Sequence, residues 1–260
     1  MAENPVLNHE QMQTWKKNGY LVLPSFFSTK EVAQLAGWAE EIRDWPSVEG
    51  QHLNYYELVD GKKTLSRTEN FLPFHPGFRQ LIQESRLFGM LEEIVGEPVL
   101  LFKEKINYKY PGTGCYAPHQ DIHAFDTSPL AFQHYHINAA LFLDEATLEN
   151  GCFEVVPGFE GKVLDRNPNG SIVEEIAGSL DWIPVNATPG TVLIFNCYVP
   201  HRSALNTSIK PRRTVYFTFN GVSKGDLREA HYKDRASGKG KTREINSALF
   251  IDKPTATPPK

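Results

Sequence analysis

His119 and Asp121 are separated by one residue, His201 follows 80 residues after Asp121, and Arg212 and Arg213 follow His201 by 11 and 12 residues. Two imidazoles and one carboxylate can occupy one face of an octahedral Fe(II), leaving three positions for substrate and O2. A guanidinium can grip the far carboxylate of a 2-oxo diacid through two parallel hydrogen bonds. The chain has nine histidines, so an H-x-D alone means little. The order and spacing of the whole set carry the argument.

Such a set needs strands. In extended chain, residues i and i+2 share a face, so His119 and Asp121 can reach one metal while Gln120 faces the other way. His201 follows the apolar run Thr191–Asn196 and Pro200, as a residue at a barrel rim would. Arg212 and Arg213 open the next strand, and only one of two neighbours can enter a barrel. Residues 99–110 alternate, with Lys103, Lys105, Asn107 and Lys109 on one face and Phe102, Ile106 and Tyr108 on the other. Further strand signals lie at 136–143, 152–156, 191–196 and 214–220, separated by Gly, Pro and Asn turns.

The first third reads differently. Asn8 with Gln11 and Ser28 with Glu31 have capping-box spacing, predicting helices that begin near residues 8 and 28 around a short strand at 19–24. A further helix is expected over 77–95. Residues 47–78 show no clear period and read as a lid-like loop carrying Tyr55, Arg67 and Asn70. The expected fold is mainly β with flanking helices: a double-stranded β-helix (jelly roll, cupin-like) core. One domain is expected over 1–260, with a helical part at about 8–95, the core at about 97–222 and a partly disordered tail from about 233.

Composition narrows the partners. Hydrophobic residues make up 40% and charged residues 22% of the 260-residue chain, which suits a globular protein with one sizeable core. A net charge of −4 gives no reason to expect nucleic acid. No apolar run reaches the ~18 residues that would span a membrane. Three widely spaced cysteines, Cys115, Cys152 and Cys197, read as free thiols in a reducing, cytoplasmic setting.

The run QMQTWKKNGYLVLPSFFSTKEV, His119-Gln120-Asp121, LDEATLENGCFEVVP with its following Gly158, and the stretch from PHRS to PRR resemble phytanoyl-CoA dioxygenase-type oxygenases, from about residue 10 to 225. The resemblance implies a jelly roll that uses Fe(II), 2-oxoglutarate and O2 and releases succinate and CO2. It implies His119, Asp121 and His201 as metal ligands, Arg212 on the 2-oxoglutarate C5 carboxylate with Ser203 in support, and Asn107, Lys103, Lys105 and Gln120 as further cosubstrate contacts. Related halogenases replace the carboxylate with Gly or Ala, so Asp121 points to hydroxylation. KEKINYK, PHQD and ENGC are similar to the branch containing 2-aminoethylphosphonate hydroxylases and their trimethylammonium relatives.

The substrate expected is a small polar metabolite. Arg67 or a strand lysine would suit a phosphonate or carboxylate, and an aromatic cage would suit a quaternary ammonium. Tyr55, Arg67, Asn70, Phe125 and Tyr135 are the candidate contacts. Competing readings are a natural-product oxygenase, a jelly roll that binds without turnover, and a cupin-like metal enzyme that needs no 2-oxo acid.

Overall fold

A computed structural model describes residues 6–48, 50–123, 135–237 and 250–251. Two antiparallel sheets face each other. Helix α1 (His9–Asn18), strand β1 (Tyr20–Leu23) and helix α2 (Thr29–Arg43) come first. Strands β2 (Leu53–Val59) and β3 (Lys62–Glu69) precede helices α3 (Pro76–Glu84) and α4 (Leu87–Val95). Then follow β4 (Val99–Lys109), β5 (Tyr116–His119), β6 (His136–Phe142), β7 (Phe153–Val155), helix α5 (Glu174–Ser179), β8 (Ile183–Val185), β9 (Val192–Asn196), β10 (His201–Ser203), β11 (Arg212–Gly221), helix α6 (Arg228–Ser237) and β12 (Phe250–Ile251). The larger sheet runs β1-β9-β6-β11-β4-β3-β2-β12 and the smaller β5-β10-β7-β8. This is the jelly roll that the strand pattern predicts.

The larger sheet is covered on both sides. Ile106, Tyr108, Ile137, Ala139, Leu141, Val215 and Phe217 meet Leu35, Ala39, Ile42, Phe78 and Leu91 of the helices. Ala140, Phe142, Leu193 and Phe195 face Phe153 and Val155 of the smaller sheet. Strand β6 is therefore buried at every position, and its sequence is continuously apolar apart from His136 and Asn138. Both expected capping boxes form, Asn8 with Gln11 and Ser28 with Glu31.

Two expectations give way. Residues 47–78 are not a loop: β2 and β3 form a hairpin turning at Asp60-Gly61, where both residues have positive φ (49° and 74°). That geometry suits the twist of paired strands, and Asp-Gly is a strong signal for it. The helix expected over 77–95 is two helices. Ser85 is extended, and its hydroxyl donates to the Ile82 carbonyl and accepts from the Leu87 amide, offering the backbone an alternative to helix. At the far end of the described chain, α6 runs to Ser237, and β12 pairs with β2. Tyr232 packs on the Glu104 backbone and Arg228 pairs with the Glu104 carboxylate, which docks α6 on β4.

Among the described residues, no helix is long and apolar enough to cross a membrane. The three cysteines are unpaired thiols.

Helix α2 supplies much of the helical core, so its cap matters to the whole. Ser28→Ala should lower unfolding free energy by about 1 kcal/mol, measured as a shifted urea midpoint at unchanged slope.

Candidate active site

Strand β10 lies between β5 and β7, and His201 falls opposite both His119 and Val155 in register. His119 ends β5, and the chain turns immediately into a short 3-10 turn at Asp121–His123. The consequence is a tight trio: Asp121 Oδ1 lies 3.6 Å from His119 Nε2 and 3.8 Å from His201 Nε2. The donor atoms of all three lie within 4.8 Å of one another.

The imidazoles are preset. His119 Nδ1 is 2.7 Å from the Ala117 carbonyl and His201 Nδ1 is 3.0 Å from that of Val199. A carbonyl only accepts, so each Nδ1 carries the proton and each Nε2 lone pair faces the centre. Phe153 stacks on His201 at 4.9 Å, and Phe195 meets its edge at 5.1 Å. Burial, helped by the neighbouring His201, pushes His119 down to about 3, so its ring is neutral and able to bind metal. Burial alone would raise the Asp121 carboxyl, but the two imidazoles and Lys103 outweigh it and hold the group below the usual carboxylate range. Neutral imidazoles with an ionised carboxylate are the protonation states an Fe(II) site requires, so the donor set fits the metal.

Two strands supply the floor of the pocket beside this trio, a cavity of about 60 Å³. Lys103, Lys105, Asn107 and Lys109 come from β4, and Arg212, Tyr216 and Thr218 from β11. They are cross-strand neighbours, with Arg212 opposite Lys109, Thr214 opposite Asn107, Tyr216 opposite Lys105 and Thr218 opposite Lys103. Arg212 enters the pocket, and Arg213 points to the helices, where it takes Asp144 through two bonds of 2.8 Å and pairs with Glu40. Strand alternation alone separates them.

At one end of the floor two buried cations have no anion among the described residues. Lys109 Nζ donates to the Gly151 carbonyl (2.8 Å) and to Ser203 Oγ (3.0 Å). Arg212 donates to the carbonyls of Gly151 (2.8 Å) and Asn150 (3.4 Å) and to Thr214 Oγ1 (2.6 Å). Burial, then the charge of Arg212, lowers the Lys109 amine to about 7. Buried charges without a counterion are costly, and the carboxylate of a bound 2-oxo diacid would fill this need. Asn107 lies next along that face, and its buried side-chain oxygen has no hydrogen-bond partner among the described residues.

Further along, Lys105 makes no hydrogen bond or ion pair among the described residues and sits 4.8 Å over the Tyr216 ring. Burial, and then the charges of Arg67 and Lys103, depress it to about 7. Arg67 is in strand β3 opposite Asn107, ion-paired to Glu69 at 3.1 Å and stacked on Tyr55 at 4.1 Å.

Not every expected residue reaches the pocket. Gln120 turns away: its amide nitrogen donates to the carbonyls of Lys162 and Tyr198, and its oxygen accepts from the Leu164 amide. It braces the 158–164 segment because strand alternation points it away from the metal trio. Tyr55 is fully buried outside the pocket, held by Arg67 and by Arg235 at 3.0 Å. Asn70 sits at positive φ (59°) and bonds the Gln51 carbonyl and Arg228, tying the hairpin to α6. Tyr135 packs toward Tyr198, outside the pocket lining. Phe125 lies outside the described residues. Conversely, Asn138, Tyr216 and Thr218 line the pocket without having been singled out. All three stand on strands with the right parity, so the same alternation that exposes Lys105, Lys109 and Arg212 would have found them.

A jelly roll with a facial trio at its mouth and a cationic floor for a diacid defines a non-haem iron dioxygenase that consumes 2-oxoglutarate. Comparison with known proteins agrees. The family described as phytanoyl-CoA dioxygenase (PhyH) matches residues 15–214. Methylphosphonate hydroxylase of Gimesia maris is 41% identical over 233 residues, covering 89% of this chain and 88% of the relative. The 2-aminoethylphosphonate dioxygenase of an uncultured bacterium is 38% identical over 229 residues, covering 87% and 86%. The crystal structure of EctD from S. alaskensis with 2-oxoglutarate and 5-hydroxyectoine shares the fold, at 22% identity, with a TM-score of 0.72 over 86% of this chain and 79% of that one. The chain belongs to the phytanoyl-CoA dioxygenase family. It is an Fe(II)- and 2-oxoglutarate-dependent dioxygenase that acts on a small molecule with O2.

The two arginines give a matched test. Arg212→Ala should raise the KM for 2-oxoglutarate by about 10-fold or more, the scale of a lost charge-assisted bond, in a succinate assay. Arg213→Ala should instead lower the melting temperature and leave that KM within about 2-fold, since it acts on packing at the helix side. Equal effects on KM would refute the division of faces.

Gly151 offers a second test. It has φ of 67°, and a Cβ there would run into the Ala204 carbonyl and the Lys109 ammonium. Gly151→Ala should therefore weaken 2-oxoglutarate binding in a titration of the metal-loaded protein.

Proposed function

We propose that this enzyme hydroxylates a C–H bond of a small organophosphonate, with His119, Asp121 and His201 holding Fe(II). The observation that carries the reading is the charge of the pocket. Lys103, Lys105, Lys109 and Arg212 line it against one carboxylate, Asp121, while the remaining lining cation, Arg202, is paired with Glu154. Bound Fe(II) adds further positive charge. The far carboxylate of a bound 2-oxoglutarate, gripped by Arg212, Lys109 and Ser203, offsets one charge at one end. Lys105 and Lys103, backed by Arg67, remain at the other end near Asp121. A tetrahedral dianion with several acceptor oxygens suits such a cluster of point charges. The names of the two relatives above, both organophosphonate enzymes, point the same way.

Lys103 and Lys105 are thus assigned to substrate in preference to cosubstrate. Strand β4 then works as a ruler: Lys109 at the diacid's far carboxylate, Asn107 beside its chain, and Lys105 and Lys103 at the phosphonate. Iron with 2-oxoglutarate and O2 supplies the oxidising power that breaks an unactivated C–H bond. The chain's own residues hold the phosphonate so that its carbon faces the metal trio, and Phe153, Phe195 and Tyr216 keep that wall apolar. A trialkylammonium group without a phosphonate would meet the same cations and be repelled.

The test is substrate-stimulated succinate formation. Methylphosphonate and 2-aminoethylphosphonate should stimulate it, while ectoine, proline and simple betaines should not. Lys105→Gln should raise the phosphonate KM by about 10-fold or more, the scale of a lost charge-assisted hydrogen bond, and leave slow substrate-free 2-oxoglutarate consumption close to wild type. Stimulation by betaines and not by phosphonates would overturn the assignment.

A further inference from the structure

We infer that Asn138 and Thr218 form a positioning chain that keeps Asp121 a one-oxygen metal ligand. The inference rests on the reading of Asp121 as a ligand. A carboxylate beside a metal can bind through one oxygen or both, and the second mode would take a position that substrate or O2 needs. Here the two oxygens of Asp121 are treated differently. Oδ1 faces the two Nε2 atoms, while Oδ2 accepts a 2.9 Å hydrogen bond from Asn138 Nδ2. The other end of that amide, Asn138 Oδ1, accepts a 2.7 Å bond from Thr218 Oγ1.

The chain has a direction. A carboxylate with its proton gone can only accept, so the amide must offer its nitrogen to Asp121 and its oxygen elsewhere. The Thr218 hydroxyl donates to that oxygen and so fixes which way the amide faces. Both residues are almost fully buried, at 4% and 3% exposure. They are register partners on neighbouring strands β6 and β11, so the backbone holds them together. The ladder between β11 and β4 shifts register immediately after Thr218. Such irregularities re-aim side chains next to active sites. A hydroxyl and an amide here are not needed for packing: neighbouring positions of the same strands, Ala140 and Tyr216, carry an apolar methyl and a ring. The amide spends both its ends in one line that leads to the metal trio.

Metal-free protein titrated with Co(II), with no cosubstrate, isolates the effect from turnover. Asn138→Ala and Thr218→Val should weaken Co(II) binding by roughly 10- to 100-fold, the range for partners that orient ligands. Their Co(II) absorption should shift as a second carboxylate oxygen enters the coordination sphere. Thr218→Ser, which keeps the hydroxyl and loses only the methyl, should stay within about 3-fold of wild type, since it retains that bond. Asp121→Ala is the control for the ligand reading. If it binds Co(II) as wild type does, Asp121 is not a ligand and the inference falls with that reading. If Asp121→Ala loses binding while Asn138→Ala keeps wild-type affinity and spectrum, the ligand reading stands and the positioning chain is wrong. Equal losses in Thr218→Val and Thr218→Ser would also overturn it, because packing and not the hydroxyl would then be responsible. If Thr218→Val does not fold, the Thr218→Ser and Asn138→Ala pair still decides.

Discussion

Buried positive charge without its counterion is the constraint around which this molecule is arranged. Lys109 and Arg212 face each other across two strands, and among the described residues their partners are carbonyls and hydroxyls. Among the described residues Lys105 has no such partner and sits over an aromatic ring. Desolvating cations in this way works against folding, and the barrel tolerates it because the rest of the fold is heavily committed elsewhere. Apolar layers lie on both sides of the larger sheet. The charges that serve structure, such as Arg213 with Asp144 and Glu40, are paired. Lys105, Lys109 and Arg212, which have no ion-pair partner among the described residues, line one pocket. Binding and stability are therefore linked: a ligand that brings negative charge there stabilises the folded state by mass action.

The same logic explains how the metal trio is held in place. Each imidazole is fixed from behind by a backbone carbonyl two residues earlier in the chain, and His201 is also sandwiched by Phe153 and Phe195. These restraints come from strand pairing, since β10 is placed by β5 on one side and β7 on the other. Position is supplied by the sheet, and the metal has only to accept it.

Much of this was legible in the sequence because strand parity is a strong code. The face shared by Lys103, Lys105, Asn107 and Lys109, the opposite fates of Arg212 and Arg213, and the outward turn of Gln120 all follow from period two. The code failed where hydrophobicity did not alternate. Strands β2 and β3 bury Asn54, Glu57, Ser66, Arg67, Thr68 and Glu69, because this part of the sheet borders a polar pocket. A register shift between Tyr55 and Tyr56 breaks the pattern further. Only Asp60-Gly61 announced the hairpin. The partners of Asn70 and Tyr55 were hidden for another reason: Arg228 and Arg235 of α6 lie more than a hundred residues away, and no local pattern encodes such a meeting. The split of the 77–95 helix rested on one serine hydroxyl.

The doubled arginine at the start of β11 has a consequence for how this sequence can drift. Val215 and Phe217 look toward the helices and Thr214, Tyr216 and Thr218 toward the pocket. Each face of the strand is written in every second letter. Insertions among residues 204–211 fall outside β11 and leave its parity untouched. A single-residue insertion or deletion within β11 would put Arg213 in the pocket but also swing the aromatic letters inward and the polar ones against the helices. Evolution of this strand is thereby confined to substitutions, while length variation is left to the turns on either side.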